Sequence, residues 1–156
     1  MHRVLAAGLM LASMLWVVLL IAAPLTLSGG SVLAALFYEA CGLICHQRPE
    51  RSFHLAGLPL PVCARCFGLY ASGAAGAAAA WLVVQGEGGS SRYFRRLLLW
   101  TAIPTAVTLL GEWSGLAGFS PLTRALAAIP LGAALGWLLV STVRSNLTHG
   151  EMRYHA

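Results

Sequence analysis

Four long stretches of apolar residues, separated by short polar segments, dominate this chain. The first stretch carries no charged residue, and each of the others carries one, at Arg65, Glu112 and Arg124. A helix needs about 20 residues to cross the hydrocarbon core of a bilayer, and its backbone satisfies its own hydrogen bonds there. The pattern therefore predicts four spanning helices, at about residues 4–27, 61–84, 97–119 and 122–143.

A shorter helix is predicted between the first two stretches, over residues 31–45. Glu39 and Gly42 interrupt its apolar pattern, so it is expected to lie on the membrane surface or to re-enter rather than to span. The Gly- and Ser-rich run at residues 86–91 predicts a flexible turn. With no repeat and no second domain, the predicted fold is an all-α membrane protein. It has about four transmembrane helices plus this interfacial or re-entrant helix, in one bundle over residues 1–156.

Composition agrees with a membrane location. The chain is 58% hydrophobic and 10% charged, whereas soluble domains carry about 25% charged residues. Mean hydropathy is +0.76. All ten basic residues are arginines, spread along the chain between apolar runs rather than gathered in a stripe, which argues against nucleic acid as a partner. The expected environment is the lipid bilayer.

The arginines also predict an orientation. With the N-terminus in the cytoplasm, six arginines lie on the cytoplasmic side and four on the other, in keeping with the positive-inside rule. Both termini are therefore predicted to be cytoplasmic, and the loop at residues 28–60 to face outward. The first apolar run is longer than the 7–15 residues typical of a signal peptide, so it is expected to remain as an anchor.

Small residues and two charges mark the helix faces. Gly68, Ser72, Gly76 and Ala80 recur every four residues, and Gly132 and Gly136 form a G-x-x-x-G pair, both typical of close helix packing. Packing within the chain is the first expectation, and a homodimer or another membrane partner is the alternative. Glu112 and Arg124 are functional candidates because intramembrane charges are costly. The alternative is that they simply pair across the turn at residues 115–121.

The candidate chemistry lies in a Cys/His loop, residues 36–66, which holds all four cysteines of the chain. Cys41 and Cys45 are four apart and share a helical face. Cys63 and Cys66 fall at the start of the second predicted span, where a helix N-terminus lowers thiol pKa values and Arg65 adds to the effect. Arg51, in the same loop, is a candidate for holding an anion such as a lipid phosphate.

A metal site is the first of the chemistries that fit these residues. The C-x-x-C pair and a Cys-His pair about 17 residues earlier supply three sulfurs and one nitrogen, a set suited to tetrahedral zinc. Iron and copper also bind such ligands. The predicted ligands are Cys45, His46, Cys63 and Cys66, with Cys41 as a substitute.

Other chemistries remain open. A thiol–disulfide oxidoreductase would use Cys63 and Cys66, with Cys41 and Cys45 as partner pair and quinone as electron acceptor. Cysteines facing outward also form purely structural disulfides. Covalent haem fits poorly, because the run from Cys41 reads C-x-x-x-C-H, one residue longer than the usual motif. A non-catalytic membrane accessory subunit is a further alternative. No phosphate-binding loop, serine nucleophile constellation or paired-carboxylate site is found, which weighs against an enzyme.

Three motifs lie in the loop and at the start of the second predicted span: Cys45-His46-Gln47, Pro49-Glu50-Arg51-Ser52-Phe53, and Pro61-x-Cys63-x-Arg65-Cys66-x-Gly68-x-Tyr70. Together they resemble the signature of the domain-of-unknown-function 2085 family, which comprises small prokaryotic membrane proteins. The similarity spans about residues 36–139, and the family's frequent Asp-Gly pair is missing from the third predicted helix. The resemblance implies a prokaryotic inner-membrane location but no particular reaction. It gives Cys45, His46, Cys63 and Cys66 as the shared set, with Cys41 additional.

Overall fold

Five α-helices account for most of the protein. The computed structural model describes residues 2–83 and 91–154, so residues 86–90 of the predicted glycine-rich turn lie outside the described part. The predicted all-α class is confirmed. The helices are α1 (His2–Leu27), α2 (Val32–Gly42), α3 (Ala64–Val83), α4 (Ser91–Trp113) and α5 (Pro121–Tyr154). Between α2 and α3 lie a 3₁₀ helix, Pro49–Arg51, and an unpredicted antiparallel hairpin of β1 (His54–Leu55) and β2 (Leu58–Pro59).

Three of the described helices are long and apolar enough to cross a membrane: Val4–Leu27 in α1, Ala64–Val83 in α3 and Pro121–Arg144 in α5. Helix α4 has sufficient length, at 23 residues, but is less apolar because its first turns contain arginines. Its role as a fourth span stays a prediction. Helix α2, with 11 residues, is too short to span and begins at the N-cap Ser31, whose side chain accepts a hydrogen bond from the N–H of Ala34.

Two helix boundaries differ from the sequence prediction at the end of the molecule that holds the cysteines. Helix α3 begins at Ala64 rather than near Pro61, and its first turn closes when the N–H of Phe67 donates to the carbonyl of Cys63 at 2.9 Å. Cys63 therefore precedes the helix. Helix α4 ends at Trp113, not at residue 119, because Gly115 adopts a φ of +72°, which reverses the chain.

At the opposite end of the molecule, α4 and α5 both extend beyond their predicted limits. Helix α4 begins at Ser91 instead of residue 97, so the arginine-rich segment that precedes the predicted span is also helical. Helix α5 continues to Tyr154 instead of ending at residue 143. Hydropathy marks only the part of a helix that lies in lipid, and a polar extension into water leaves no apolar signal.

The helices run in alternating directions through the bundle. At one end of α1, Ala6 packs with Ala77 of α3 and Val140 of α5. At its other end, Leu20 packs with Val62, just before α3. Helix α1 is therefore antiparallel to α3, while α3 and α5 run in the same direction.

Helix α4 is antiparallel to α5, since Thr105 donates a hydrogen bond to the carbonyl of Ala127 while Glu112 pairs with the earlier Arg124. The start of α1 and the ends of α3 and α5 consequently lie at one end of the bundle. The Cys/His loop lies at the opposite end.

Small residues allow α3 and α5 to approach within backbone contact. A Cβ atom added at Gly76 would overlap the carbonyl of Ala133, and one added at Gly136 would overlap the carbonyl of Gly73. A Cβ added at Gly132 would likewise overlap the hydroxyl of Ser72. The predicted packing of the small-residue faces within the chain is confirmed. A homodimer stays a prediction, and it would need a different surface.

Candidate metal centre

Two separate segments bring three cysteines together. Cys45 lies three residues beyond the end of α2, and its N–H donates to the carbonyl of Cys41 at 3.0 Å. Cys63 and Cys66 stand at the head of α3. The Sγ atoms of Cys45, Cys63 and Cys66 lie within 4.8 Å of one another. All four cysteines are free thiols, so these three sulfurs form a compact set of soft donors.

Backbone groups at the head of α3 point toward the sulfurs. The N–H of Cys63 donates a hydrogen bond to the Sγ of Cys45 at 3.1 Å. A hydrogen bond from the Cys66 thiol, aided by the backbone N–H groups of Cys66 and Arg65, holds the pKa of the Cys63 thiol well below its ordinary value. Burial opposes this shift but is outweighed. The cluster therefore favours a thiolate, the form that binds metals and attacks disulfides.

Gln47 holds the loop in place, a role that was not predicted from the sequence. Its Nε2 donates to the carbonyl of Tyr38 at 2.6 Å and to the carbonyl of Pro61 at 2.9 Å, joining α2 to the segment before α3. The backbone of Gln47 has a φ of 44°, in the left-handed region. Tyr38 in turn donates its hydroxyl to the carbonyl of Pro59 at 2.6 Å. The adjacency of Gln47 to the Cys-His pair was the available signal.

Aromatic and aliphatic side chains cover the inner side of the cluster. Cys45 packs with Leu20 and Val62, and the ring of Trp16 lies between Phe37, at a centroid distance of 5.4 Å, and Tyr70, at 6.0 Å. This packing keeps water from the cysteines on the side facing the bundle, which strengthens electrostatic interactions there.

The two remaining predicted ligands lie apart from the three sulfurs. Cys41 is fully buried in the same apolar cluster, and burial raises the pKa of its thiol. It does not belong to the close group of sulfurs. His46 is exposed and is likewise outside that group, but it lines the same cavity as Cys45, Cys63 and Cys66.

That cavity, of about 750 Å³, opens beside the cysteines at the same end of the bundle. Its walls come from the loop and from α3, α4 and α5. Besides the three cysteines and His46, it is lined by Arg48, Arg51, Arg65, Arg124, Glu112 and the apolar residues Ile44, Leu109, Leu110 and Trp113.

Glu112 anchors the arginines on one wall of the cavity. Its carboxylate, 6% exposed, pairs with Arg124, confirming the pairing expected across the turn. The carboxylate also accepts a hydrogen bond from Arg65 at 3.3 Å, and its Oε2 lies 3.9 Å from the Nη1 of Arg51. The sequence did not suggest either of these partners. Arg65 further donates to the hydroxyl of Thr108 at 3.4 Å. One carboxylate thus links α3, α4, α5 and the 3₁₀ helix.

Comparison with known proteins identifies relatives but no established activity. The model of DUF2085, a family described as predicted membrane proteins, matches residues 45–138. An uncharacterized protein of Methanocaldococcus jannaschii, MJ1492, is 58% identical over 33 residues, 21% of each chain. One from Methanothermobacter thermautotrophicus is 56% identical over 27 residues, 17% of this chain and 24% of the relative. The chain thus covers about a quarter or less of these curated relatives, and no solved structure matches it.

Proposed function

This chain belongs to the DUF2085 family of predicted membrane proteins, and we propose that it binds a metal ion at Cys45, Cys63 and Cys66. The observation that carries this proposal is the spacing of the three Sγ atoms, within 4.8 Å of one another and drawn from two segments. Tetrahedral zinc, with Zn–S bonds of about 2.3 Å, holds its sulfurs about 3.8 Å apart. The largest separation therefore exceeds that spacing by no more than about 1 Å.

Zinc is the ion we assign, because three thiolates and an imidazole are a frequent ligand set for it. Iron and copper share the preference for thiolates, and elemental analysis of the purified protein distinguishes them from zinc. His46 is the preferred fourth ligand, since it follows Cys45 directly and lines the same cavity. Cys41 is the less favoured substitute because it is fully buried away from that cavity.

The proposed location is the outer interface of a prokaryotic inner membrane, in a single helical bundle with both termini in the cytoplasm. The alternating helix directions support this arrangement, because they place the N-terminal end of α1 and the C-terminal end of α5 at the same end of the bundle. An ion at the opposite end would pin the loop to the head of α3. Its first role is therefore structural.

Elemental analysis of the full chain, purified in detergent without added metal, tests the proposal together with a free-thiol count. We expect about one zinc per chain. Cys63→Ser should lose the ion, whereas the loop variant His54→Ala, which alters an exposed side chain outside the cavity, should retain it. A metal content that is the same in Cys63→Ser and His54→Ala would contradict the proposal.

A thiol–disulfide oxidoreductase is the second candidate, favoured by the lowered pKa of the Cys63 thiol at the head of a helix. In this alternative, oxidation of Cys63 and Cys66 forms one S–S bond and releases two protons and two electrons, with quinone as the acceptor. Cys41 and Cys45 would be the partner pair. A preparation free of metal, with two disulfides that exchange with added thiols or quinone, would favour this function over the metal site.

A further inference from the structure

The cavity beside the cysteines carries an excess of positive charge that the proposed metal does not explain. Its described lining includes four arginines and a single carboxylate, Glu112. The formal excess is therefore three positive charges. Even a zinc ion held by three thiolates contributes only one net negative charge, so two positive charges remain. We propose that this cavity binds a phosphate group carried by an amphiphilic ligand.

The arginine donors that remain available define where the phosphate would lie. Arg65 and Arg124 already donate to Glu112, but the Nε of Arg65 is buried without a hydrogen-bond partner. Arg51 lies 3.9 Å from Glu112, beyond hydrogen-bond distance, and its side chain is 39% exposed. Among the described residues, no carboxylate pairs with the guanidinium of Arg48. A planar guanidinium group binds two oxygens of one phosphate at the same time, so the donors that remain on these arginines suit a phosphate group.

The apolar part of the cavity points to a ligand with a hydrophobic portion. Leu109 and Leu110 on α4 are 50% and 58% exposed, and Trp113 at the end of the same helix is 87% exposed. In a bilayer these side chains meet acyl chains, and tryptophan is enriched at the level of the headgroups. Arginines at that depth extend toward the interface and meet lipid phosphates. A cavity of about 750 Å³ accommodates a headgroup and its glycerol.

This inference is independent of the metal, because Arg48 and Arg51 are not among the proposed ligands. The two sources of a phosphate group are a phospholipid and a soluble phosphate. They differ in that only the first uses the apolar wall.

Native mass spectrometry of the detergent-purified full chain tests the site. The probes are phosphatidylglycerol, diacylglycerol with the same acyl chains, and inorganic phosphate. We expect phosphatidylglycerol to be retained in preference to diacylglycerol, and the preference to fall about tenfold in Arg48→Gln/Arg51→Gln. The matched control is Arg95→Gln/Arg96→Gln, which alters two exposed arginines of α4 at the other end of the bundle.

Each outcome bears on the proposal. Retention of inorganic phosphate but not of phosphatidylglycerol, lost in the Arg48→Gln/Arg51→Gln variant, overturns the amphiphilic ligand and assigns the arginines to a soluble phosphate instead. Equal retention of phosphatidylglycerol and diacylglycerol overturns the proposal, as does an equal loss in both double variants. Arg48→Lys/Arg51→Lys keeps the charge but not the planar donors, and intermediate binding is expected. Metal content, measured on the same samples, should not change, which separates this site from the metal centre.

Discussion

The backbone N–H of Cys63 donates a hydrogen bond to the Sγ of Cys45, at 3.1 Å and across 18 residues of chain. The backbone of the segment before α3 therefore holds the sulfur of Cys45 in position, rather than the flexible side chain of Cys45 alone. A hydrogen bond of this kind is stronger when the sulfur is a thiolate. The fold itself therefore positions the sulfur of Cys45 beside the head of α3.

Gln47 should control metal affinity without touching the ion. Its amide joins the carbonyls of Tyr38 and Pro61, and Gln47→Ala removes both bonds. Loss of hydrogen bonds that hold a metal site in place without touching the ion typically weakens metal binding about 10- to 100-fold. Competition with a chelator measures the affinity, and His54→Ala serves as the exposed control. Unchanged affinity in Gln47→Ala would show that the loop is held by other contacts.

Cys63 should be the most reactive cysteine of the metal-free protein. Its pKa is held low by hydrogen bonds from Cys66 and nearby backbone N–H groups, whereas burial raises the pKa of Cys41. Alkylation at about pH 7, below the ordinary thiol pKa of about 8.5, is therefore expected at Cys63 first and at Cys41 last. Peptide mass spectrometry after brief alkylation gives the order.

The same shift predicts how stability depends on pH in the metal-free protein. A thiol whose pKa is lowered on folding stabilises the folded state fully above the unfolded pKa, about 8.5. That contribution declines as the pH falls through the lower folded pKa of Cys63. Thermal unfolding of the wild type should therefore lose stability on acidification relative to Cys63→Ser. Parallel pH profiles for the two proteins would refute the assignment.

Gly76 should tolerate no side chain, because a Cβ there would overlap the carbonyl of Ala133 on α5. Gly76→Ala forces α3 and α5 apart, with an expected loss of about 1–3 kcal/mol in the free energy of unfolding. Gly8→Ala is the matched helical control, since nothing lies within 4 Å of a Cβ at that position. Thermal unfolding in detergent compares the two, and equal midpoints would exclude the close contact between α3 and α5.

Glu112 should be more important for folding than any of its partners alone. Glu112→Gln removes the one carboxylate that faces Arg65, Arg124 and Arg51. Unpaired buried charges typically cost about 3–5 kcal/mol, so a large fall in the unfolding temperature is expected. Adding Arg124→Gln should recover part of the loss. If the double variant were no more stable than Glu112→Gln, repulsion among the arginines would not be the cause.

The proposed orientation predicts which positions an impermeant maleimide reaches in intact cells. Ser28→Cys, exposed after α1, should be labelled above the wild-type background, because it lies at the end that is proposed to face outward. Arg95→Cys, exposed at the start of α4, should be labelled only after lysis. The opposite pattern would invert the topology. At the predicted cytoplasmic end, Arg144 donates to the carbonyls of Ala80 and Trp81, as expected for an arginine near a helix C-terminus.

The sequence by itself was sufficient for the membrane class, the approximate helices and the grouping of all four cysteines in one loop. Those features depend on local composition: a long uncharged run such as residues 4–27 has few alternatives to a spanning helix. The pairing of Glu112 with Arg124 was also within reach, because only a short turn separates them. Helix ends were less accurate, since the turn at Gly115 depends on backbone conformation rather than on hydropathy.

Only the tertiary structure decided which donors meet. The sequence does not distinguish Cys41 from Cys45 as a sulfur donor. In the structure Cys45 joins Cys63 and Cys66. It does so because α2 ends at Gly42 and the chain then turns toward α3. The parallel packing of α3 on α5 and the convergence of Arg51 and Arg65 on Glu112 likewise join segments about 45 or more residues apart. Such contacts follow from how helix faces fit together across the bundle, and no local pattern in the chain encodes that fit.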